Sequence, residues 1–209
     1  MNEAVAARVN LVDEYITGLE KAAITWGQTD IFKIYCLQKS GALKEGDAIY
    51  NPNAGTIANA YLKLVKENAY PDRFEGVWAA DLNTEIFAHS DEGGVGNSLR
   101  DNEDAKKALF ESLEPIGTGE VLNAGIRTSV VTGEMLLVLY YPIRDDGGEL
   151  VGVTGCGAFT KPLLEAFDEH PIEGLGSAVY YMIDLDQGTY LFNSEDSEQV
   201  GTEISETGQ

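Results

Sequence analysis

The fold of this chain is decided by residues 77–96, which read VWAADLNTEIFAHSDEGGVG. Two short runs of strand-forming residues, 77–80 and 85–88, flank the polar turn Asp81-Leu82-Asn83-Thr84. This pattern is typical of a β-hairpin. The following residues, 91–98, are rich in glycine and acids, which predicts a loop.

A similar stretch recurs about 104 residues later. Residues 180–201 carry Asp184-Leu185-Asp186, then a strand ending in Phe192-Asn193, and finally Val200-Gly201. Two copies of one hairpin indicate two related modules, with chance similarity between two acidic hairpins as the alternative. The elements that follow the first hairpin have no counterpart after Gly201, so we expect the second module to be incomplete and the protein to continue.

The elements around the first hairpin predict an α+β fold. Helices are predicted over 5–26, from Thr56 to Glu67, from Asp101 or Asn102 to Leu113, and from Lys161 to Glu169; strands are predicted over 120–128, 135–143 and 150–159. With the two strands of the hairpin, these form one five-stranded antiparallel sheet with flanking helices. Gly174 and Gly176 indicate a linker to the second hairpin.

Two of the predicted helices are amphipathic. The first carries an apolar stripe with spacings of three and four residues, formed by Val5, Val9, Val12, Ile16, Leu19, Ala23 and Trp26. This stripe packs either on its own domain or against a second copy of the chain. The second helix presents Ile57, Tyr61, Leu64 and Val65 on one face.

Composition excludes several classes of function. The chain has 35 acidic and 14 basic residues, a net charge of -21, and no basic run, so nucleic acid is not an expected partner. No stretch approaches the ~20 apolar residues that span a bilayer. There is no nucleophile elbow, no phosphate-binding loop and no histidine pair at metal spacing, so we expect neither an enzyme nor a metal or cofactor site. Cys36 and Cys156 are too few for a disulfide framework, and their spacing leaves open whether they pair.

Four stretches in order carry a family resemblance. They are the long first helix, residues 77–83 with 88–91 and 95–96, residues 140–145 (YYPIRD), and residues 150–155 (LVGVTG). Together with the second hairpin, they resemble the double Cache extracytoplasmic sensor domains of bacterial chemoreceptors (methyl-accepting chemotaxis proteins) and sensor kinases.

The resemblance implies a domain organisation and a function. Residues 1–50 would form the N-terminal helix and a connecting region, 51–170 a membrane-distal PAS-like ligand-binding module, and 171–209 the start of a membrane-proximal module. It implies a cell-membrane protein, dimeric through the N-terminal helix, whose extracytoplasmic domain binds a small molecule and thereby shifts that helix. Two alternatives stay open: a ligand-free dimerisation module, or a docking site for a solute-binding protein.

Aromatic residues are the first candidates for the ligand site. Trp78 and Ala80 face the same side of their strand, so the indole forms either a pocket wall or part of the core. Tyr140 and Tyr141 point to opposite faces, and Tyr140 is favoured for the pocket. His89 ends the hairpin, where the resemblance implies ligand contact; a surface histidine is the alternative.

Two arginines are the candidate anion-binding residues. Arg127, on an apolar strand, is either paired with a carboxylate or directed at an anionic ligand. Strict alternation would place Asn123 and Ser129 on its face, and Arg100 precedes the predicted short helix. This cluster favours a small organic acid. The family's amino-acid receptors usually carry an aspartate just before a Thr-Gly pair, whereas residues 127–133 read RTSVVTG, which puts a standard amino-acid ligand in doubt.

Overall fold

A computed structural model describes residues 3–129, 132, 135–163, 181–185, 188–193, 196, 199 and 202–204. The helices are α1 Glu3–Gly27, α2 Asp30–Ser40, α3 Ala54–Leu64 and α4 Glu103–Leu113; the strands are β1 Phe74–Asp81, β2 Ile86–His89, β3 Leu122–Thr128, β4 Met135–Arg144, β5 Leu150–Phe159, β6 Tyr181–Asp184 and β7 Thr189–Asn193.

The first five strands form one antiparallel sheet in the order β2-β1-β5-β4-β3. This confirms the predicted α+β class, the five-stranded sheet and its flanking helices. Helix α4 lies in the connection between β2 and β3, which are the two edge strands. The fifth strand of this sheet, β5, lies at its centre, between β1 and β4. The sheet therefore has two faces, each covered by different helices.

Helices α1, α2 and α3 pack on one face, called here the helix face. Its core contains Leu19, Trp26, Phe32, Leu62, Phe74, Val77, Leu139 and Cys156, all at most 2% exposed. The Trp26 ring meets Phe74 edge-on, with ring centroids 5.1 Å apart. Burial of each such large side chain contributes about 1.5–3 kcal/mol.

The apolar stripe of α1 divides into two halves. Leu19, Ala23 and Trp26 are buried against the sheet, whereas Val9 is 50% exposed. Between them, the Tyr15 hydroxyl donates a hydrogen bond to the main-chain oxygen of Phe159, 2.5 Å away. The C-terminal half of α1 thus packs on its own domain, and the helix is tied to the end of the central strand β5.

Two features of the helix face differ from the sequence expectations. Helix α2 was not predicted; it buries Phe32 and Cys36 and ends at Gly41 in the left-handed conformation. Helix α3 buries the stripe Ala54, Ala58 and Leu62 and is followed by a π-helical turn, Val65–Ala69. Small alanines allow close approach to the sheet, which leaves the larger Ile57 and Leu64 44% and 58% exposed.

The second hairpin repeats the first at the level of hydrogen bonds. In the first hairpin, the amides of Ile86 and Leu99 donate to the main-chain oxygens of Asn97 and Thr84. In the second, 104 or 105 residues later, the corresponding donor–acceptor pairs are Tyr190 to Thr202 and Ile204 to Gly188. The repeat predicted from the sequence is therefore confirmed for the two hairpins and the loops that follow them.

Other expectations concern the edges of the described chain. The predicted helix over 161–169 is helical over 161–163, and the rest of it, with the glycine linker, lies outside the described residues.

Cys36 and Cys156 are both buried free thiols, and burial raises the pKa of Cys36 to about 12. No helix in the described part of the chain has the length and apolar character of a membrane span.

Candidate functional site

The second face of the sheet, called here the ligand face, has a floor of glycines. Gly155 of β5 lies between Trp78 and Tyr140, and Gly157 lies between Gly76 and Val138 on the neighbouring strands. Glycine inside a strand often marks a close approach of another group. Because no side chains rise from these positions, side chains of the neighbouring strands lie across the middle of the sheet.

Trp78 and Tyr140 lie together over Gly155. Their ring centroids are 6.3 Å apart, and a Cβ at Gly155 would lie 2.6 Å from Trp78 Nε1 and 2.9 Å from Tyr140 Cδ1. Trp78 is therefore on the ligand face, as is Tyr140, while Tyr141 packs beneath Gly27 on the helix face. The Trp78 Nε1 atom is buried and has no hydrogen-bond partner among the residues that the structure describes.

His89 flanks Trp78 on the edge strand β2. The two residues are paired in register, and their rings are nearly parallel with centroids 6.2 Å apart. His89 Nδ1 lies 2.9 Å from the Asp91 amide nitrogen and 3.0 Å from the Asp91 main-chain oxygen. Burial lowers the pKa of His89 below its ordinary value of 6.5, with Asp91 opposing part of that shift. His89 is thus a neutral ring beside the indole.

Arg100 approaches the same aromatic pair from the loop before α4. Its guanidinium carbon lies 5.6 Å from the centroid of the Tyr140 ring, within the range of a cation–π contact. Its Nη1 donates to the main-chain oxygen of Leu99 at 2.7 Å. Arg100 forms no ion pair with any residue that the structure describes.

The expectation that Asn123 shares a face with Arg127 is wrong. The β3–β4 register shifts between Asn123 and Ile126, and Gly125 lies there with a φ of 74°. This bulge moves Arg127 to the ligand face, opposite Leu136, while the exposed Asn123 is paired with Leu139, whose side chain is in the helix-face core. Strict alternation fails because the bulge inserts a residue.

Arg127 and Ser129 lie at the far end of the ligand face. Arg127 is exposed, and its Nη1 donates to the main-chain oxygen of Ile126 at 3.0 Å. Among the described residues it has no carboxylate partner within ion-pair distance. Ser129 Oγ donates to the Glu75 carboxylate of β1 at 2.6 Å. The structure therefore brings the β3–β4 loop onto strand β1.

Helix α4 covers the other end of the ligand face. Leu109 and Leu113 are buried against Ala80, Val153 and Tyr140. The helix begins at the predicted cap, because the Asn102 side chain accepts the Ala105 amide at 2.9 Å. At its end, Arg144 Nη2 donates to the main-chain oxygens of Leu113, Glu114 and Ile116.

Of the seven residues assigned to the ligand site from the sequence, the structure brings four together: Trp78, His89, Arg100 and Tyr140. Sequence reasoning missed Glu75 and the floor glycines Gly76, Gly155 and Gly157. The alternation Gly155-Cys156-Gly157 inside a predicted strand was the available signal for the floor. For Glu75 no signal was available, because its position depends on a bulge and a long-range loop contact.

Two cavities lie away from this face. One, of about 250 Å³, lies between the end of α1 and the β4–β5 turn; the other, of about 240 Å³, lies between α2 and the start of α3. No group of three or more metal-ligating side chains occurs within the described ranges. On the ligand face, the ends of His89 and Leu136 lie over Gly76 and Gly157.

Comparison with solved structures identifies the fold. The sensor domain of the V. cholerae histidine kinase DctB matches with a TM-score of 0.63 and 13% identity, over 98% of this chain and 70% of that domain. The sensory domain of the Campylobacter jejuni chemoreceptor Tlp3 matches with a TM-score of 0.62 and 13% identity, over 98% and 74%. The ligand-binding domain of the Pseudomonas aeruginosa amino acid chemoreceptor PctC, in complex with GABA, matches with 0.57 and 14%, over 97% and 77%.

These neighbours are sensor and ligand-binding domains. The chain therefore has the Cache, PAS-like fold of such domains, and the resemblance drawn from its residues is confirmed at the level of fold. No protein-family model matches the sequence, and no curated protein is detectably similar to it.

Proposed function

We propose that this chain is the extracytoplasmic small-molecule sensing domain of a transmembrane signal transducer, such as a chemoreceptor or sensor kinase. The observation that carries the proposal is a pair of polar groups on the ligand face. Among the described residues, the buried Trp78 indole N–H has no hydrogen-bond partner, and the neighbouring Arg100 guanidinium, whose Nη1 donates to the main-chain oxygen of Leu99, has no carboxylate partner. A buried donor without a partner costs about 1–3 kcal/mol, which a bound ligand would recover.

The chemistry of this pair favours a ligand with an anionic group. A guanidinium and an indole N–H on one side of an aromatic pair can both donate to a carboxylate. The rings of Trp78 and Tyr140 supply apolar walls for the rest of the molecule. Sensing of this kind needs binding alone and no covalent chemistry.

The sheet connects the ligand face to α1. Strand β5 contributes Gly155 and Gly157 to the floor and accepts the Tyr15 hydroxyl at Phe159. In this proposal, the strand and α1 have two positions. A ligand that binds one of them more tightly shifts the equilibrium towards it, by the difference between its two binding free energies. In this proposal, residues 51–170 are the membrane-distal module, 171–209 begin a proximal module, and the exposed end of α1 pairs with a second copy.

A binding screen tests the proposal. Carboxylic acids, amino acids, purines and sugars would be added to the chain at saturating concentration, and the melting temperature measured. A ligand at 100 times its Kd stabilises the folded state by about 2.7 kcal/mol. For each compound that binds, calorimetry would compare the wild type with Arg100→Gln and Trp78→Phe.

The matched control is Lys107→Gln, which removes one positive charge from the outer surface of α4, where its side chain is 74% exposed. We expect the site variants to weaken binding about tenfold or more and the control to leave it unchanged. If no compound raises the melting temperature, the ligand-free module or a protein partner replaces the sensor as the favoured function. If compounds bind equally well to all three variants, the site lies elsewhere.

A further inference from the structure

Thr84 has a backbone conformation that β-branched residues rarely adopt. It ends the turn of the first hairpin with a φ of 64°, in the left-handed region, and among the described residues it is the one non-glycine with a positive φ. Its side chain is completely buried. Strained residues of this kind persist where the surrounding structure holds them, and they cluster at functional sites. Threonine at this position therefore indicates a role that a glycine would not fill.

The second hairpin has a glycine at the same position. In the first hairpin, the Leu99 amide donates to the main-chain oxygen of Thr84 at 2.9 Å. In the second, the Ile204 amide donates to the main-chain oxygen of Gly188 at 2.9 Å, and Gly188 also has a φ of 64°. Both hairpins need this backbone shape, and glycine adopts it without strain because it has no Cβ. The first hairpin thus keeps a strained residue where the second has none.

The Thr84 hydroxyl belongs to a short chain of hydrogen bonds. Its Oγ1 lies 2.8 Å from Ser98 Oγ, and Ser98 Oγ donates to the main-chain oxygen of Arg100 at 2.7 Å. Because that bond uses the single hydroxyl proton of Ser98, Thr84 is the donor to Ser98. The Arg100 amide donates to the same Ser98 oxygen at 3.3 Å. Ser98 therefore holds both main-chain polar groups of Arg100, and Thr84 holds Ser98.

The second hairpin has neither of these hydroxyls. The isolated bridge that Ser98 forms with the first hairpin has its counterpart at Glu203 in the second. Glu203 and Gly188 thus occupy the positions of Ser98 and Thr84. The sequence then continues with Ser205, where the first hairpin has an arginine. The hydroxyl pair and the arginine therefore occur together in one hairpin and are replaced together in the other.

The backbone of Arg100 decides where its side chain lies. The guanidinium carbon is 5.6 Å from the centroid of the Tyr140 ring, and Nη1 donates to the main-chain oxygen of the preceding residue, Leu99. The side chain forms no ion pair within the described ranges. Since no carboxylate there holds the guanidinium, its direction depends on the backbone that carries it. A change in that backbone would move the charge away from the rings.

We propose that Thr84 is a positioning residue, which fixes the backbone of Arg100 through Ser98 and so places the guanidinium over Tyr140. The consequence for binding rests on the proposed function, in which Arg100 is the charged group of the ligand site. A glycine at position 84 would relieve the strain but would leave Ser98 without its donor. Ligand affinity therefore depends on the Thr84 hydroxyl.

Four variants separate the hydroxyl from the shape of the side chain. Thr84→Val keeps the branched shape and removes the hydroxyl, whereas Thr84→Ser keeps the hydroxyl. Ser98→Ala removes the other end of the same hydrogen bond at an exposed residue, so it tests the bond even if Thr84→Val folds poorly. Ser112→Ala is the matched control, because it removes an exposed serine hydroxyl that bonds within α4.

Iodide quenching of tryptophan fluorescence reports the position of Arg100 without any ligand. Trp78 is partly exposed, whereas Trp26 is 1% exposed, so a quencher in solution acts mainly on Trp78. A nearby guanidinium raises the local concentration of the iodide anion but not that of neutral acrylamide. At constant ionic strength, the ratio of the iodide to the acrylamide quenching constant therefore measures the positive charge beside Trp78.

We expect this ratio to follow the hydroxyl. It should fall in Thr84→Val and in Ser98→Ala to the value measured for Arg100→Gln. Thr84→Ser and Ser112→Ala should keep the wild-type ratio. The melting temperature of each variant, measured alongside, shows whether the ratio follows the hydroxyl or the stability of the fold.

Calorimetry tests the consequence for binding, with the carboxylic acids, amino acids, purines and sugars of the binding screen as probes. Thr84→Val and Ser98→Ala should each weaken binding of the compounds that bind the wild type by about fivefold or more. The double variant should bind about as well as either single one, because both changes remove the same hydrogen bond. Thr84→Ser should bind like the wild type.

Several outcomes would overturn the inference. One is a quenching ratio that stays at the wild-type value in Thr84→Val and Ser98→Ala, or in Arg100→Gln itself. Another is binding that follows the melting temperatures of the variants instead of the presence of the hydroxyl. If no compound binds, the proposed function fails, whereas the quenching ratio still decides whether Thr84 positions Arg100.

Discussion

The His89 ring makes stability depend on pH in a defined window. Its folded-state pKa lies below the ordinary value of 6.5 because burial disfavours the charged ring. The unfolded chain therefore takes up a proton at His89 before the folded chain does, so stability falls as pH drops below about 6.5. Asp91 also has a lowered pKa, through its contacts with Lys66, but its stability contribution is lost only as pH falls below its ordinary 3.8.

We expect His89→Gln to flatten the stability profile between about pH 5 and 7, as measured by urea unfolding at each pH. The control is Lys107→Gln on the exposed surface of α4, which should keep the wild-type slope. An unchanged slope in His89→Gln would show that the ring is not buried as described.

Gly155 is required by the two rings above it. A methyl group there would meet Trp78 Nε1 at 2.6 Å and Tyr140 Cδ1 at 2.9 Å, while the backbone beneath it is fixed in the central strand. We expect Gly155→Ala to destabilise the protein by about 1–3 kcal/mol and to change the tryptophan fluorescence. In Gly93→Ala, the added methyl has no neighbour within 4 Å, so its stability should remain close to the wild type. Equal stability of both variants would mean that the rings move aside freely.

The face on which a side chain lies was predicted correctly where the strand is regular and wrongly where the strand contains a bulge. Tyr140 and Tyr141 lie on opposite faces, as predicted, because β4 keeps its register from Leu136 to Ile143. Asn123 was assigned to the wrong face because edge strand β3 contains a bulge at Gly125. A glycine inside a strand pattern was a usable warning of that bulge. Glu75 was beyond prediction, since its role depends on hydroxyls more than fifty residues away.

At the scale of elements, the N-cap residue of α4 stabilises the helix that covers one end of the ligand face. Asn102 accepts the Ala105 amide, and loss of such a cap typically costs about 1 kcal/mol. We expect Asn102→Ala to lower stability by this amount and to speed amide hydrogen exchange along α4. Asn53 is a matched control because it occupies the same position at α3 without a side-chain cap bond, so Asn53→Ala should change stability by much less. Similar losses in the two variants would contradict the capping role.

The contact between α1 and the sheet depends on a glycine at the end of the helix. A Cβ at Gly27 would lie 2.5 Å from Tyr141 Cδ1 and 2.9 Å from Thr154 Oγ1, whereas at Gly18 the nearest neighbour is 4.0 Å away. We expect Gly27→Ala to destabilise by about 1–3 kcal/mol and Gly18→Ala to stabilise by about 0.5–1 kcal/mol through helix propensity. Thermal unfolding measures both, and stabilisation by Gly27→Ala would show that α1 does not rest on the sheet there.

Elements were predictable where their own residues carry the signal. Helix α4 has a cap and acids in its first turn, and the hairpin of β1 and β2 has a polar turn between short apolar runs. Helix α2 was missed because Ile31, Phe32, Ile34 and Tyr35 favour strands locally, and burial of Phe32 and Cys36 overrides that preference. For α3, the small side chains of Ala54 and Ala58 face the sheet because the space between helix and sheet is narrow. The spacing of apolar residues along the sequence does not indicate how wide that space is.

At the scale of the whole molecule, most residues of the sequence can differ without a change of fold. Sensor domains with 13–14% identity to this chain share its fold. What they must share is the order of elements and an apolar helix-face core, because many side-chain combinations fill such a core. The ligand face contributes less to that core, so charged residues there, such as Arg100, can differ between proteins of the same architecture.

The net charge of -21 also acts on the molecule as a whole. The described ion pairs are mostly exposed, and exposed pairs contribute little to stability. Repulsion among the remaining acids therefore favours the unfolded chain, in which the charges lie further apart.

Raising the ionic strength from about 0.01 M to 0.15 M shortens the screening length from about 30 Å to 8 Å. We expect stability to rise by about 1 kcal/mol, which shifts Tm upward by about 2–4 °C for a chain of this size. Sodium and choline chloride should act alike, since screening does not depend on the cation. A Tm that is constant or falls with both salts would show that the acids are already compensated in the folded state.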